Sequence, residues 1–307
     1  MSEPEEFYLP LESYCGTGQR FDSFLCSTAF KIVSLNKSLA RRPTMTVETL
    51  FRCLLLVSIY YHQIASKAQC ENIQGHDCSD IWEKNNLATS GIYCVKPQNT
   101  LSSFQVYCEI TRNGGWTLIQ KHDGMDGLSF NKTWSEYKYG FGQLQGEHWL
   151  GLQNIYDLTH QTGRPAKLHI SLGDFNGHEA YAEYNPFSIG SEANHYNLLA
   201  GDYSGTAGDA FLGDEEINGT NQYSSPFSTW DSPNDNCYPY CEIGDIMEMS
   251  CSEQSQAGWW FNLCGSANLN GIWRNPPRHR HRNSYVAWPT WRPDESLKFS
   301  KMFLIFH

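Results

Sequence analysis

A chain of 307 residues has room for one large domain of about 200 to 250 residues plus a tail, or for two ordinary domains. Aromatic residues at 14% against charged residues at 18% fit a packed domain and exclude a disordered chain. A formal net charge of −11 excludes a general nucleic-acid binder, which needs a basic surface to release phosphate counterions.

Residues 1–44 mix acidic, basic and apolar positions without a sustained period or heptads, and read as an N-terminal extension. The long apolar run LFRCLLLVSIYY, Leu50 to Tyr61, contains Arg52 and is too short to span a bilayer. Read from Met45, residues 45–68 form a signal-like segment, with Ser66 and Ala68 at the usual cleavage offsets. The mature chain then begins near Gln69 and is secreted, with no stable membrane span. The 11 cysteines point to an oxidising compartment, although an odd number leaves one thiol without an intramolecular partner. A start at Met45 with cleavage before Gln69 discards Cys15, Cys26 and Cys53 and leaves an even set. The same apolar run also fits a buried helix or an uncleaved anchor within a retained extension.

From residue 69 to 307 the texture is that of a single domain. SDIWEKN after Cys78 predicts a short helix, and FQVYC and WTLIQ predict strands. TWSEYKYG near Trp134 predicts a second helix. A third is predicted over Glu147 to Gln161, with Trp149, Leu152, Ile155 and Tyr156 on one face. KLHISL predicts a further strand. From Asn185 onward Gly, Pro, Asn and aromatics dominate, which predicts long ordered loops and places the binding surface in the C-terminal third. Gly114 and Gly115 allow a tight turn into the strand at Trp116, and Gly205 and Gly208 reach φ values closed to other residues. Adjacent Trp259 and Trp260 are predicted to point opposite ways from an extended backbone.

The order of landmarks after Asp77 is SGIY, FQVYCEI, NGGWTLIQKHDG, SFNKTWSEYKYGFG, EHWLGL, YAEYNPFSIGSE, DYSGTAGDAF, FSTWD, AGWWFNLC, SANLNG and SLKFSKMFLI. This order resembles the fibrinogen C-terminal domain family. The resemblance implies an α+β fold in three parts: a small N-terminal disulfide subdomain, a central mainly antiparallel sheet with helices, and a loop-rich C-terminal ligand and calcium subdomain. It implies bridges from Cys78 to Cys108 and from Cys251 to Cys264. Cys70 and Cys94 either bridge each other or serve an intermolecular bond. Cys237 and Cys241, in the CYPYC of an insertion foreign to the family, close on each other or form a strained, reducible pair. A zinc site is not supported, because finger spacing is missing.

The calcium ion is the one cofactor that the resemblance implies, and Asp231 and Asp235 match its carboxylates. Pro233 occupies the position of a third, so any site is weak unless Glu242 or Asp245 substitutes. Read without the family, Asp231, Asn234 and Asp235 are turn formers. The family's ligand pocket maps to Gln254, Ser255, Leu263, Cys264, Gly265 and Asn283. Gln254 is retained, whereas Ser255, Leu263, Gly265 and Asn283 depart from the family's acidic, polar or basic residues. Asp294 stands where acetyl-binding relatives have a pocket Trp. The run Arg278 to Arg282 reads as an anion site or as a solvated basic loop. Asn131 in NKT and Asn218 in NGT are glycosylation acceptors in a secreted chain, and Asn36 is one only if the N-terminus is retained.

No spacing of Asp174, Glu179, Asp209, His178 and His195 specifies a nucleophile, a phosphate loop or a metal triad. The expectation is therefore a non-enzymatic recognition module, a soluble ligand for an extracellular or cell-surface protein. The alternatives are a lectin for glycans or acetyl groups and, remotely, an enzyme of undefined class.

Overall fold

The computed structural model describes residues 70, 72–213, 221–237, 240–243, 246–274, 284–293 and 295–307. Its first helix, α1 (Cys78–Lys84), starts where Asp77 accepts the Asp80 amide at 2.8 Å as an N-cap. Ser79 then donates to Gly115 O at 2.8 Å and accepts the Phe306 amide at 3.0 Å, which pins the helix to two strands. At Gly115 a Cβ would lie 2.0 Å from the Cys78 carbonyl oxygen, so the contact of helix and strand requires glycine. Disulfides tie Cys78 to Cys108 and Cys70 to Cys94 around this corner.

The sheet follows from period-two alternation. In β6 (Ala166–Gly173), Ala166, Leu168, Ile170 and Leu172 are buried, and Lys167, His169 and Ser171 occupy the other face. Its neighbours are β1 (Gly91–Val95), β2 (Phe104–Thr111), β3 (Gly114–His122), β7 (Glu179–Ile189), β8 (Leu198–Gly205) and β11 (Phe299–Phe306). The order is β1-β2-β3-β11-β6-β7-β8, antiparallel throughout, with the short β4 (Phe141–Gly142) and β5 (His148–Trp149) attached through β3. The strand β11 therefore lies in the middle, with Met302 opposite Gln120 on one side and Ile170 on the other. A separate hairpin pairs β9 (Tyr240–Ile243) with β10 (Ile246–Met249). Strands and helices in this arrangement make an α+β fold.

Helix α2 (Trp134–Tyr139) begins with a capping box between Thr133 and Glu136. Helix α3 (Leu152–Thr159) buries Leu152, Ile155 and Leu158 on one face. The sequence reading began this helix too early. Gly151 has φ +107°, which breaks the helical path, and Trp149 instead pairs with Gln120 in β5. The loop expectation from Asn185 onward also yields in part, because β7 runs to Ile189 and β8 follows at the sheet edge.

Below the sheet sits an aromatic core. Tyr137, Trp149, Phe227 and Trp260 have ring centroids 5.1 to 6.0 Å apart. Tyr137 donates to Phe130 O at 2.7 Å and accepts the Gly258 amide at 2.9 Å, and burial pushes its hydroxyl pKa well up. Trp259 and Trp260 do not point opposite ways. Their rings meet at 5.1 Å, and both are fully buried. Trp259 makes one isolated bridge to Ser228 rather than belonging to a strand, so alternation has no ladder to act through.

Candidate recognition site

The segment Phe227–Cys237 crosses this core without regular structure, so its backbone groups need other partners. Ser228 and Trp259 exchange amide bonds at 2.9 and 3.1 Å. Asn234 donates its side-chain amide to Phe227 O and Ser232 O, at 2.9 and 3.1 Å, and its backbone N–H to the Ser228 hydroxyl at 2.9 Å. Asp231 is exposed and accepts the Trp134 amide and the Thr229 hydroxyl, each at 2.8 Å, which places its carboxylate at the start of α2. Asp235 is fully buried. Its Oδ2 accepts from Ser250 Oγ at 2.9 Å, Ser252 N at 3.1 Å, Ser252 Oγ at 3.2 Å and Ser228 Oγ at 3.4 Å, and its Oδ1 accepts the Cys237 amide at 3.1 Å. The two aspartates thus serve separate helix starts, Asp231 that of α2 and Asp235 that of α4 (Cys251–Ser255).

Of the predicted pocket residues, Gln254 and Ser255 follow Cys251 in α4, and Leu263 and Gly265 flank Cys264, at the two ends of the Cys251–Cys264 disulfide. Leu263, Cys264 and Gly265 have φ of 44°, 73° and 64°, three successive left-handed residues of which two carry side chains. Such a turn is held by its surroundings, at a cost of about 1 to 3 kcal/mol per strained residue. Leu263 N donates to Asp235 O at 3.1 Å. A Cβ on Gly265 would meet the Gln222 amide nitrogen at 2.3 Å. Gln222 is buried and pairs reciprocally with the Ala267 backbone at 3.0 and 3.2 Å. Gln254 is half-buried and Ser255 is buried, so Gln254 can meet a ligand and the Ser255 side chain cannot. Around the turn, Asn236 donates to Asn262, which donates to Asn221 O at 2.7 Å; Trp230, in the Phe227–Cys237 segment, is 50% exposed. Asn283, Asp294, Asn218, Asp245, residues 278–282 and the Cys241 and Glu242 side chains lie outside the described residues, as does the signal-like segment. Asn131 is exposed.

Sulfurs of Cys237, Cys251 and Cys264 lie within 4.8 Å of one another. All three are disulfide-bonded, so they offer no thiolate to a metal.

On the outer face of the sheet the structure assembles a trio that sequence spacing did not suggest. Ser171 Oγ lies 3.1 Å from His169 Nε2, and His169 Nδ1 lies 2.9 Å from Glu183 Oε1. The His169 ring lies against Trp116 at 4.8 Å and Tyr181 at 5.6 Å. The signal was the register, since His169 and Glu183 are direct cross-strand partners. Ser171 is paired with Lys301 on one side and Tyr181 on the other, which commits the adjoining amides to the ladder and leaves no donor pair for an oxyanion. A groove of about 240 Å³, lined by Pro186, Ser188, Leu198, Leu199, Ala200, Gly201, Tyr223 and Ser224, opens beside β8.

The family described as "Fibrinogen beta and gamma chains, C-terminal globular domain" matches residues 74–306. The chain belongs to the fibrinogen C-terminal domain family. Fibrinogen-like protein 1 of Homo sapiens is 40% identical over 222 residues, covering 70% of this chain and 66% of the relative. Angiopoietin-related protein 7 of Mus musculus is 37% identical over 233 residues, covering 74% of this chain and 62% of the relative. The chain thus spans about two thirds of the length of these curated relatives. Among solved structures, the fibrinogen-like globe domain of human ANGPTL2 superposes with a TM-score of 0.64 at 36% identity, covering 75% of this chain and 98% of that one. Lamprey fibrin D-dimer, complexed with the peptide Gly-His-Arg-Pro-amide, superposes with a TM-score of 0.67 at 29% identity, covering 92% of this chain and 83% of that one.

In this fibrinogen-like domain the calcium that the family implies meets a poor donor set. A carboxylate oxygen has about two lone-pair sites, and Oδ2 of Asp235 already accepts from four donors. Two of the five donors to this carboxylate are backbone N–H groups, whose positive ends oppose a cation. Pro233 adds no carboxylate. The described residues therefore do not fit a calcium ion at Asp235.

Proposed function

We propose that this chain is a secreted, non-enzymatic fibrinogen-like recognition module whose partner is an extracellular or cell-surface protein. The observation that carries the reading is the left-handed turn Leu263–Gly265, held by Cys251–Cys264 and bordered by Asn221, Asn236 and Asn262, with the exposed Trp230 in the Phe227–Cys237 segment whose Asp235 carbonyl takes the Leu263 amide. Exposed amides and a half-exposed indole suit a protein surface, where an aromatic anchor and adaptable hydrogen bonds combine. The Asp235 carboxylate beneath the turn is spent internally, so it offers no counter-charge to an ammonium-bearing peptide. Likeness to fibrinogen-like protein 1 and angiopoietin-related protein 7 supports a soluble ligand role. The disulfides among the described residues suit an oxidising compartment.

In this reading residues 45–68 are a cleaved leader, the domain runs from 69 to 307, residues 1–44 precede it, and Asn131 and Asn218 carry glycans. Among the described residues no helix is long and apolar enough to cross a membrane. A lectin reading has one observation in its favour, the groove beside β8, where Tyr223 and Leu199 offer apolar surface and Ser188 and Ser224 offer hydroxyls. The deciding experiment screens the purified secreted chain against a cell-surface receptor library and a glycan array in parallel. Saturable binding to a protein receptor that is lost in Trp230→Ala is expected, and binding confined to acetylated glycans would overturn the protein-partner reading.

A further inference from the structure

We propose that this domain organises the loop beneath its recognition turn with a cage of serine hydroxyls around Asp235, in place of a divalent cation. Asp235 sits where three otherwise separate segments meet. Its carboxylate holds Ser250 and Ser252, which flank Cys251, and Ser228, which is bridged to Trp259. Its carbonyl oxygen takes the Leu263 amide, next to Cys264. One residue therefore grips both arms of the Cys251–Cys264 bridge and sets the start of the left-handed turn.

Among the described residues no cation pairs with Asp235, and a buried carboxylate so placed persists only when hydrogen bonds replace its lost hydration. The hydroxyls of Ser250 and Ser252 and two amides do so here, and the single proton of Ser228 is shared between Oδ2 at 3.4 Å and Ser252 Oγ at 3.3 Å. The hydroxyls are themselves fixed. Asn234 N donates to Ser228 Oγ at 2.9 Å, which leaves the Ser228 proton to point inward, and Ser250 and Ser252 lie 3.1 Å apart. A cation at this point would have to turn hydroxyl protons away and would still face the amides of Ser252 and Cys237. The cage performs the closure that a metal performs elsewhere, and it does so with neutral groups that neither chelators nor the calcium level can remove. This inference rests on the packing around Asp235 and not on the nature of the partner, so it stands or falls separately from the function proposed above.

The test is thermal unfolding of the full secreted chain in EGTA and in millimolar calcium, with Ser250→Ala, Ser252→Ala and Asp235→Asn beside the unaltered protein. The unaltered chain is expected to melt within about 1 °C in the two buffers, because a ligand raises Tm only when its concentration exceeds Kd. Each serine variant is expected to lose about 3 to 8 °C in both buffers, the effect of one lost hydrogen bond to a buried charge in a domain of this size. Asp235→Asn should lose more. If it fails to be secreted, the serine variants still decide. A calcium-dependent rise of several degrees in the unaltered chain would overturn the proposal, as would serine variants that melt like it.

Discussion

The sheet and the loop-rich third solve the same problem in opposite ways. Between β1 and β8, backbone groups pair with backbone groups, and side chains are left to pack. Between β8 and β11, scattered backbone–backbone bonds are supplemented by buried side chains that take backbone groups: Gln222 with Ala267, Asn270 with Gly258, Trp288 with Gly208, Thr290 with Ala207 and Asp235 with the amides of Ser252 and Cys237. A ladder tolerates exchange of one side chain for another because its hydrogen bonds do not depend on which side chain is present. A loop held by side chains loses backbone partners with every substitution. The loop region should therefore be the more sensitive to changes that remove a hydrogen-bonding group, and the sheet to changes that remove buried volume.

The largest expected effect is on the disulfides. Chain entropy alone ranks Cys78–Cys108, with a separation of 30, above Cys251–Cys264, with a separation of 13, by less than about 1 kcal/mol. We expect the reverse order. Cys78–Cys108 is backed by α1 and the ladder, whereas Cys251→Ser frees the turn that Asp235 and Gln222 clasp, and should cost about 2 to 5 kcal/mol and abolish secretion. Yields of Cys251→Ser and Cys78→Ser in conditioned medium, followed by urea unfolding of whatever is secreted, compare the two. Equal losses would erase the distinction between the regions.

Next in size is a matched pair. Ile170→Ala removes buried apolar volume from the sheet and should cost about 2 to 5 kcal/mol. Gln222→Ala orphans both the amide and the carbonyl of Ala267 and should cost about 1 to 3 kcal/mol, although Gln222 is itself polar and the loop it serves has no ladder. Urea midpoints at constant m-value measure both. A Gln222→Ala cost near zero would mean that water replaces the side chain.

Asp174 joins the two regions, since it accepts from His178 in the β6–β7 turn and from Arg292 in the C-terminal loops. Burial alone would raise its pKa, but the hydrogen bonds from His178 and Arg292 outweigh burial and hold it well below the usual carboxylate range. A lowered folded pKa adds stability that is present in full above the unfolded pKa of about 4 and is lost as pH falls through the folded value. Asp174→Asn should therefore cost about 2 kcal/mol at neutral pH. Its deficit relative to the unaltered chain should shrink below about pH 4. Denaturant titrations from neutral pH downward test this, and a deficit that does not change with pH would show that charge is not the cause.

The smallest effect is expected at Asp231, exposed at the start of α2. Asp231→Ala should cost about 0.5 to 1 kcal/mol, less in high salt, by thermal melting.

The same contrast decides what could be read from the sequence. FQVYC, WTLIQ and KLHISL announce β2, β3 and β6 because alternation and a two-sided ladder act together. The α1 and α2 segments announce themselves as SDIWEKN and TWSEYKYG, and the structure adds the caps at Asp77 and at the Thr133 and Glu136 pair. β8, in LLAGDYSG, has little alternation, because an edge strand with one partner takes its shape from β7 rather than from its own pattern. Trp149 was drawn into a helix because its spacing to Leu152 is helical, and only the φ of Gly151 reveals the break. The site was less legible still. Its landmark residues could be placed by family resemblance, but Ser228, Ser250 and Ser252 are separated by an aperiodic insertion, and nothing local marks them as partners of one carboxylate. Hydrogen bonds between side chains distant in sequence leave no period.

The central place of β11 has a consequence for how the molecule is made. β3 and β6 flank it and are not paired with each other, so among the described residues the ladders of the two halves of the sheet join only through residues 299–306. During synthesis every other strand emerges first. Without Phe299 to Phe306, β3 and β6 would each be left as an edge strand with unpaired backbone groups, the kind of edge that pairs with other chains. Arrival of β11 is thus what joins the sheet, and a chain lacking residues 299–306 is not a slightly shorter protein but two unfinished ones on one thread.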